Sequence, residues 1–225
     1  MGLVARRAGR LKEIAATLPA GCDTYAADVR DIGAMTRAGE DFVAKHGAPD
    51  IVIANAGVSV GTLTEFAADA AVFRETLETN VIGIVHTFHP FLAPMREARR
   101  GALVGIASVA GFRGLPGAAA YSASKAAAIR YLESLRVELH GSGVRVVTIC
   151  PGFIDTPMTK KNPYPMPFLL DADDAARRMA RAIDAGRSFS VIPWQMAIVG
   201  RILNLLPNFV YDRALAGRAR KPRKG

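Results

Sequence analysis

The chain has 225 residues, half of them hydrophobic and 22% charged, enough for one sizeable core and giving no reason to invoke two domains. Its net charge of +9 raises the question of nucleic acid, but six positive charges fall in the last thirteen residues. No interleaved aromatic platform accompanies them, which excludes nucleic-acid recognition as the main function.

In chain order, residues 1–10 are basic but no long apolar run follows, unlike a secretory signal. Residues 2–7 read as the end of a strand and 8–18 as the helix after it. Further strand-like runs fall at 24–27, 51–54, 103–107, 144–149 and 189–192. Helical patterns lie between them at 32–46, 68–99, 118–140 and 173–185. Such alternation predicts an α/β fold, a parallel sheet with helices on both faces. Glycine and proline gather at 111–117 and 151–167, both after strand ends, where open α/β sheets bind ligands. Cys22 and Cys150 are too few for a disulfide framework. They read as small core residues in a reducing, cytoplasmic setting.

The most informative segment is Tyr121-Ser122-Ala123-Ser124-Lys125, at the start of the alanine-rich helix. Residues four apart share a helix face, so phenol and ammonium point the same way. A nearby cation favours phenolate, predicting a Tyr121 pKa below its ordinary value and a usable proton donor and acceptor. Ser108 ends an apolar run thirteen residues upstream, and Asn80 precedes it by twenty-eight.

With Asp28-Val29, Asn55-Ala56-Gly57, Asn80 to Gly83, Ser108, Tyr121 to Lys125, and Pro151-Gly152 followed by Thr156, the chain resembles the classical short-chain dehydrogenase/reductase family. Those motifs are spread in the family's order over most of the chain. The resemblance implies a doubly wound Rossmann-like parallel sheet. It also implies that Tyr121 gives the proton, Ser108 holds the carbonyl oxygen, Lys125 depresses the tyrosine and bonds the nicotinamide ribose, and Asn80 interrupts its helix to position a water. Family members open with a strand and a glycine-rich turn, and nothing of that kind precedes Met1. An N-terminally truncated fold is therefore expected. A start codon assigned too far downstream, favoured by the complete downstream constellation, and a genuine fragment are the two explanations.

For the cofactor, the resemblance sets Asp28 and Val29 against adenine with Asn55, Ala56 and Gly57 beside it. Pro151, Gly152 and Ile154 pack on the nicotinamide, and Thr156 reaches its carboxamide. Arg6 stands where an acidic residue would bond the ribose hydroxyls of NAD, and its forked donors suit a 2′-phosphate, with Arg7 assisting. NADP(H) is expected rather than NAD(H), with reduction as the physiological direction and no metal.

Residues 153–170, with Pro163, Tyr164, Pro165, Met166, Pro167 and Phe168, occupy the place of the family's substrate loop. Their apolar and aromatic character suggests a hydrophobic carbonyl or alcohol substrate; packing on the core or on a second subunit is the other reading. Residues 194–225 form a helical extension and a basic tail, Arg213, Arg218, Arg220, Lys221, Arg223 and Lys224, with no acidic residue among them. A helix at a subunit or substrate-site edge with a solvated tail is favoured over one at an anionic membrane surface. A homo-oligomer follows from the resemblance. The functional expectation is an NADP(H)-dependent carbonyl reductase or alcohol dehydrogenase on a hydrophobic substrate, lipid-like in one reading, within one domain spanning 1–225. The alternative is a catalytically silent chain or scaffold without a pyrophosphate site.

Overall fold

Strands and helices alternate through the chain in a computed structural model, which describes residues 1–18 and 21–223. The order is β1 (Gly2–Ala5), α1 (Ala8–Ala16), β2 (Asp23–Ala26), α2 (Ile32–His46), β3 (Ile51–Ala54), α3 (Asp69–Leu77), α4 (Gly83–Glu97) and β4 (Ala102–Ile106). Then come α5 (Ala119–Glu138), β5 (Arg145–Pro151), α6 (Ala172–Asp184), β6 (Phe189–Ile192), α7 (Trp194–Leu205) and α8 (Asn208–Leu215). Local chemistry sets several ends. Asp31 caps α2 by accepting from the Ala34 N–H, and Gly47, at φ +74°, closes its other end. Asp171 caps α6 by accepting from the Asp173 and Asp174 N–H groups.

All pairings are parallel, and the strands form two sheets, β1–β2 and β3–β4–β5–β6. The helices α4 and α5 cover one face of the larger sheet through Phe88, Met95, Leu132 and Leu135 against Val52, Leu103 and Val146. On its other face Val104, Val147, Ile149 and Ile192 meet Ala182 and Ile183 of α6. The smaller sheet is tied in through α2. A side chain at Gly39 would stand 2.5 Å from Pro90 of α4, so only glycine lets the helices touch there. His86 Nδ1 also donates to the Val29 carbonyl at 2.8 Å.

Among the described residues β1 and β3 each have a sheet neighbour on one side only. On β3, Val52 and Ala54 are buried while Ile51 and Ile53 remain 44% and 49% exposed. That alternation departs from the two-sided burial expected of a parallel strand.

The single helix expected at 68–99 is divided. Five residues, Glu78–Ile82, wind as a π-turn between α3 and α4. An extra residue per turn breaks the regular hydrogen-bond ladder and turns Asn80 inward. Cys150 is fully buried, as expected, but Cys22 is only half-buried, because it precedes the strand at the edge of the smaller sheet.

The expectation of a solvated C-terminal tail holds for Arg213, Arg218 and Arg220, which are exposed, and is corrected for Lys221 and Arg223. The helix α8 is held by Arg113, which donates to the Leu206 carbonyl at 2.7 Å and covers the Tyr211 ring at 4.0 Å. Arg223 then reaches back to form a two-pronged ion pair with Asp69, at 2.8 and 3.0 Å. Spacing along the chain says nothing of Asp69, which lies 154 residues away. Lys224 lies outside the described residues.

Candidate active site

The predicted site residues follow the carboxyl ends of five parallel strands: Arg6 after β1, Asp28 after β2, Asn55 after β3, Ser108 after β4 and Gly152 after β5. In open parallel sheets this edge collects ligands. The first turns of α5 carry Tyr121 and Lys125 to the same edge. Gly111 makes the approach possible, since a Cβ there would come within 2.7 Å of the Lys125 backbone carbon.

Ser108 is buried, accepts from the Ala110 N–H at 3.1 Å and keeps a long contact to the Pro151 carbonyl at 3.4 Å. Its hydroxyl lies beside the Tyr121 phenol and favours the ionised form. Burial of the phenol is the larger effect, however, and pushes the Tyr121 pKa above its ordinary value, with Tyr164 and Cys150 nearby adding to the rise. The expected downward shift from Lys125 is therefore not found. The Lys125 ammonium instead donates to the Ile106 carbonyl at 2.7 Å and stands 5.9 Å from the centre of the Tyr121 ring. Burial pulls Lys125 itself down to about 8, because a low-dielectric surround disfavours the ammonium. The Cys150 thiol is pushed up to about 12 by the same burial, which leaves it a protonated packing residue.

Asn80, fully buried at the π-turn, is tied on both sides of its amide. Its Oδ1 accepts from the Val58 N–H at 2.8 Å, and its Nδ2 donates to the Val58 carbonyl and to Ser124 Oγ, each at 2.9 Å. The loop Asn55 to Val58 is thereby fastened in front of α5. A Cβ on Gly57 would lie 3.3 Å from Asn80 Oδ1 and 3.6 Å from Lys125 Nζ.

Farther along the edge, Asp28 accepts from Arg30 at 2.7 Å and has Arg6 at 3.9 Å. The Arg30 side chain holds the Asp28 carboxyl below its usual range. Arg6 itself is 60% exposed and Arg7 is exposed at the start of α1. Val29 packs against Gly83. On the opposite side, Gly152 N–H donates to the Ile192 carbonyl at 2.7 Å, Ile154 pairs with Leu170, and the Thr156 N–H donates to Thr159 Oγ1 at 3.0 Å. The loop from 153 to 170 contains turns and the Phe153–Tyr164 ring contact. Thus Asn80, Gly57, Ser108, Tyr121 and Lys125 converge, Arg6 and Asp28 form a separate charged group, Ser59 and Arg30 are neighbours that local sequence patterns did not point to, and Lys221 joins the site from the tail. The basic spacing of the tail was the signal for Lys221, but its destination depends on long-range folding.

The family model described as short chain dehydrogenase matches residues 1–165. An uncharacterised oxidoreductase of Myxococcus xanthus is 46% identical over 171 residues, 76% of this chain and 67% of that protein. A 3-oxoacyl-[acyl-carrier-protein] reductase of Chlamydia muridarum is 37% identical over 121 residues, 54% of this chain, and the match spans only 48% of that reductase. Among solved structures, a short-chain dehydrogenase of Burkholderia cenocepacia in complex with NADP superposes with a TM-score of 0.80 at 24% identity, covering 96% of this chain and 85% of the other.

Proposed function

The chain belongs to the short chain dehydrogenase family, and from that premise we propose that it interconverts a carbonyl and an alcohol on a hydrophobic substrate with NADP(H). The observation that carries this reading is the convergence of Ser108, Tyr121 and Lys125 at the end of β4 and the start of α5. NADP(H) would supply the hydride. The chain's own residues would manage the oxygen. Ser108 Oγ would hold the carbonyl oxygen and Tyr121 Oη would deliver its proton as negative charge develops there. A raised Tyr121 pKa suits that task in the reducing direction, since the donor stays protonated at neutral pH.

The charges at the end of β1 support a phosphorylated dinucleotide. The carboxylate nearest Arg6 is already held by Arg30, leaving the exposed Arg6 guanidinium loosely paired at 3.9 Å. Arg6, with Arg7, would hold the 2′-phosphate. Asp28 and Val29 would meet adenine, and Asn55, Ala56 and Gly57 would line the path beside it. Pro151, Gly152 and Ile154 would pack on the nicotinamide, Thr156 would reach its carboxamide, and Lys125 would bond the ribose. The apolar loop at 153–170 would receive the substrate's hydrocarbon part, and residues 1–225 would act as one unit.

A second reading, a catalytically silent chain or scaffold, is favoured by the one-sided β1 and β3 and the exposed Ile51 and Ile53. Fluorescence titration with NADPH and NADH distinguishes the two. The first reading expects tight binding selective for NADPH, and Arg6→Ala should weaken NADPH by about tenfold, the loss of one charge-assisted hydrogen-bonded contact, while leaving NADH unchanged. A folded sample that bound neither nucleotide would favour the silent chain.

The exposed Trp194, Ile198, Ile202 and Leu205 lie on one face of α7 and support packing against a second copy. Contact with an anionic membrane surface is the alternative, although no helix among the described residues is long and apolar enough to cross a membrane. Light scattering should give a mass above one chain; a monomer that sediments with anionic vesicles would favour the membrane.

A further inference from the structure

Residues 220–223 return to the candidate active site, passing Gly61, Ser59 and the Tyr121 ring. Pro222 accepts from the Gly61 N–H at 2.9 Å, and Gly61 pairs with Arg223 in a parallel bridge. Any side chain on Gly61 would run into this segment, its Cβ lying 2.6 Å from the Pro222 carbonyl oxygen. Beyond the bridge, Arg223 is anchored twice, by its ion pair to the buried Asp69 and by lying 3.6 Å over the Phe66 ring. Asp69 is further fixed by accepting from the Leu63 N–H at 2.8 Å. The strap is therefore fastened immediately after Lys221, at Pro222 and Arg223.

Lys221 is half-buried and directed inward. Its Nζ donates to Ser59 Oγ at 2.7 Å and stands 5.7 Å from the centre of the Tyr121 ring. Among the described residues no carboxylate pairs with it within ion-pair distance. A cation partly screened from water and bonded to a single hydroxyl has incomplete compensation, and an anion is the partner that completes it. Burial lowers the Lys221 pKa, as expected for an ammonium lacking a counter-charge.

We propose that Lys221 is a specificity-determining residue: its ammonium receives a carboxylate that the substrate carries within a few bonds of the reacting carbonyl. The inference rests on Tyr121 marking the reacting end, and it narrows the substrate to an amphiphilic keto acid or hydroxy acid. The hydrocarbon part would lie along the apolar loop at 153–170 and the acid against Lys221 and Ser59.

The test is calorimetric binding of 2-oxooctanoate and of its uncharged ethyl ester to the full chain, so that no turnover is required. The wild-type chain should bind the acid at least about tenfold more tightly than the ester, the effect of one charge-assisted contact. Lys221→Met should abolish that preference without weakening the ester, and Lys221→Arg should keep most of it. Equal binding of the two ligands, binding of neither, unchanged preference in Lys221→Met, or equal loss of both ligands in that variant would each overturn the proposal. Tyr121→Phe separates the two readings: it should retain the acid preference in binding even as turnover is lost. Turnover surviving in Tyr121→Phe would sink the catalytic assignment without touching the binding result.

Discussion

Tyr121→Phe is expected to lower turnover by about a thousandfold while leaving NADPH binding nearly intact. General acid catalysis by a positioned side chain contributes roughly 10²–10⁴, and phenylalanine removes only the hydroxyl. The ring itself, with Lys125 at 5.9 Å and Lys221 at 5.7 Å, would keep its place. A variant retaining most of its activity would show that another group supplies the proton. The pH profile of the wild-type chain adds an independent check. Because kcat/KM reports groups of the free enzyme, its alkaline fall should come near pH 8, where Lys125 loses its proton. The sign follows from the direction of the shifts: the ammonium is present below about 8 and lost above it, whereas Tyr121, shifted upward, remains protonated through that range. A fall found only above the ordinary tyrosine range, beyond ~10, would assign the sensitivity to the phenol instead.

Asn80→Ala carries the largest expected loss of stability. The substitution strips partners from the Val58 N–H, the Val58 carbonyl and Ser124 Oγ, around a position with no solvent exposure. Each buried group left unmatched costs about 1–3 kcal/mol. Ser124 keeps its own donation to the Tyr121 carbonyl at 2.8 Å, so the loss falls mainly on Val58. A destabilisation of about 3 kcal/mol is expected, a large share of the roughly 5–15 kcal/mol that holds a typical domain. Urea unfolding would measure it. A change below about 1 kcal/mol, well under the cost of one orphaned pair, would mean that water readily replaces the amide. The same variant frees the loop carrying Gly57, which lies close to Lys125. Nucleotide binding should therefore weaken together with stability.

Much of the architecture is legible in local patterns. The helix α2 and the strands β3 and β6 begin and end where alternation, caps and turn residues place them, because those signals act over a few residues. The motif positions around Ser108, Tyr121 and Lys125 are legible for the same reason: strand ends and helix faces follow from short-range periodicity. The break at Asn80 was expected from family resemblance, but its π-turn form and its bonds to Val58 and Ser124 depend on a loop and a helix brought together from elsewhere.

By itself the sequence determined the α/β alternation, the family and the set of polar residues offered to the site. Tertiary structure alone decided their electrostatic state and their company. The four-residue spacing correctly set Tyr121 and Lys125 on one helix, yet the ammonium turned to the Ile106 carbonyl and burial raised the phenol, the reverse of the expected shift. Likewise, six basic tail residues look alike in the sequence, but Arg223 found Asp69 and Lys221 came to rest beside Ser59 and Tyr121. Periodicity reports which way a side chain leaves its own element, whereas desolvation and charge pairing depend on groups that only the folded chain brings within a few ångströms.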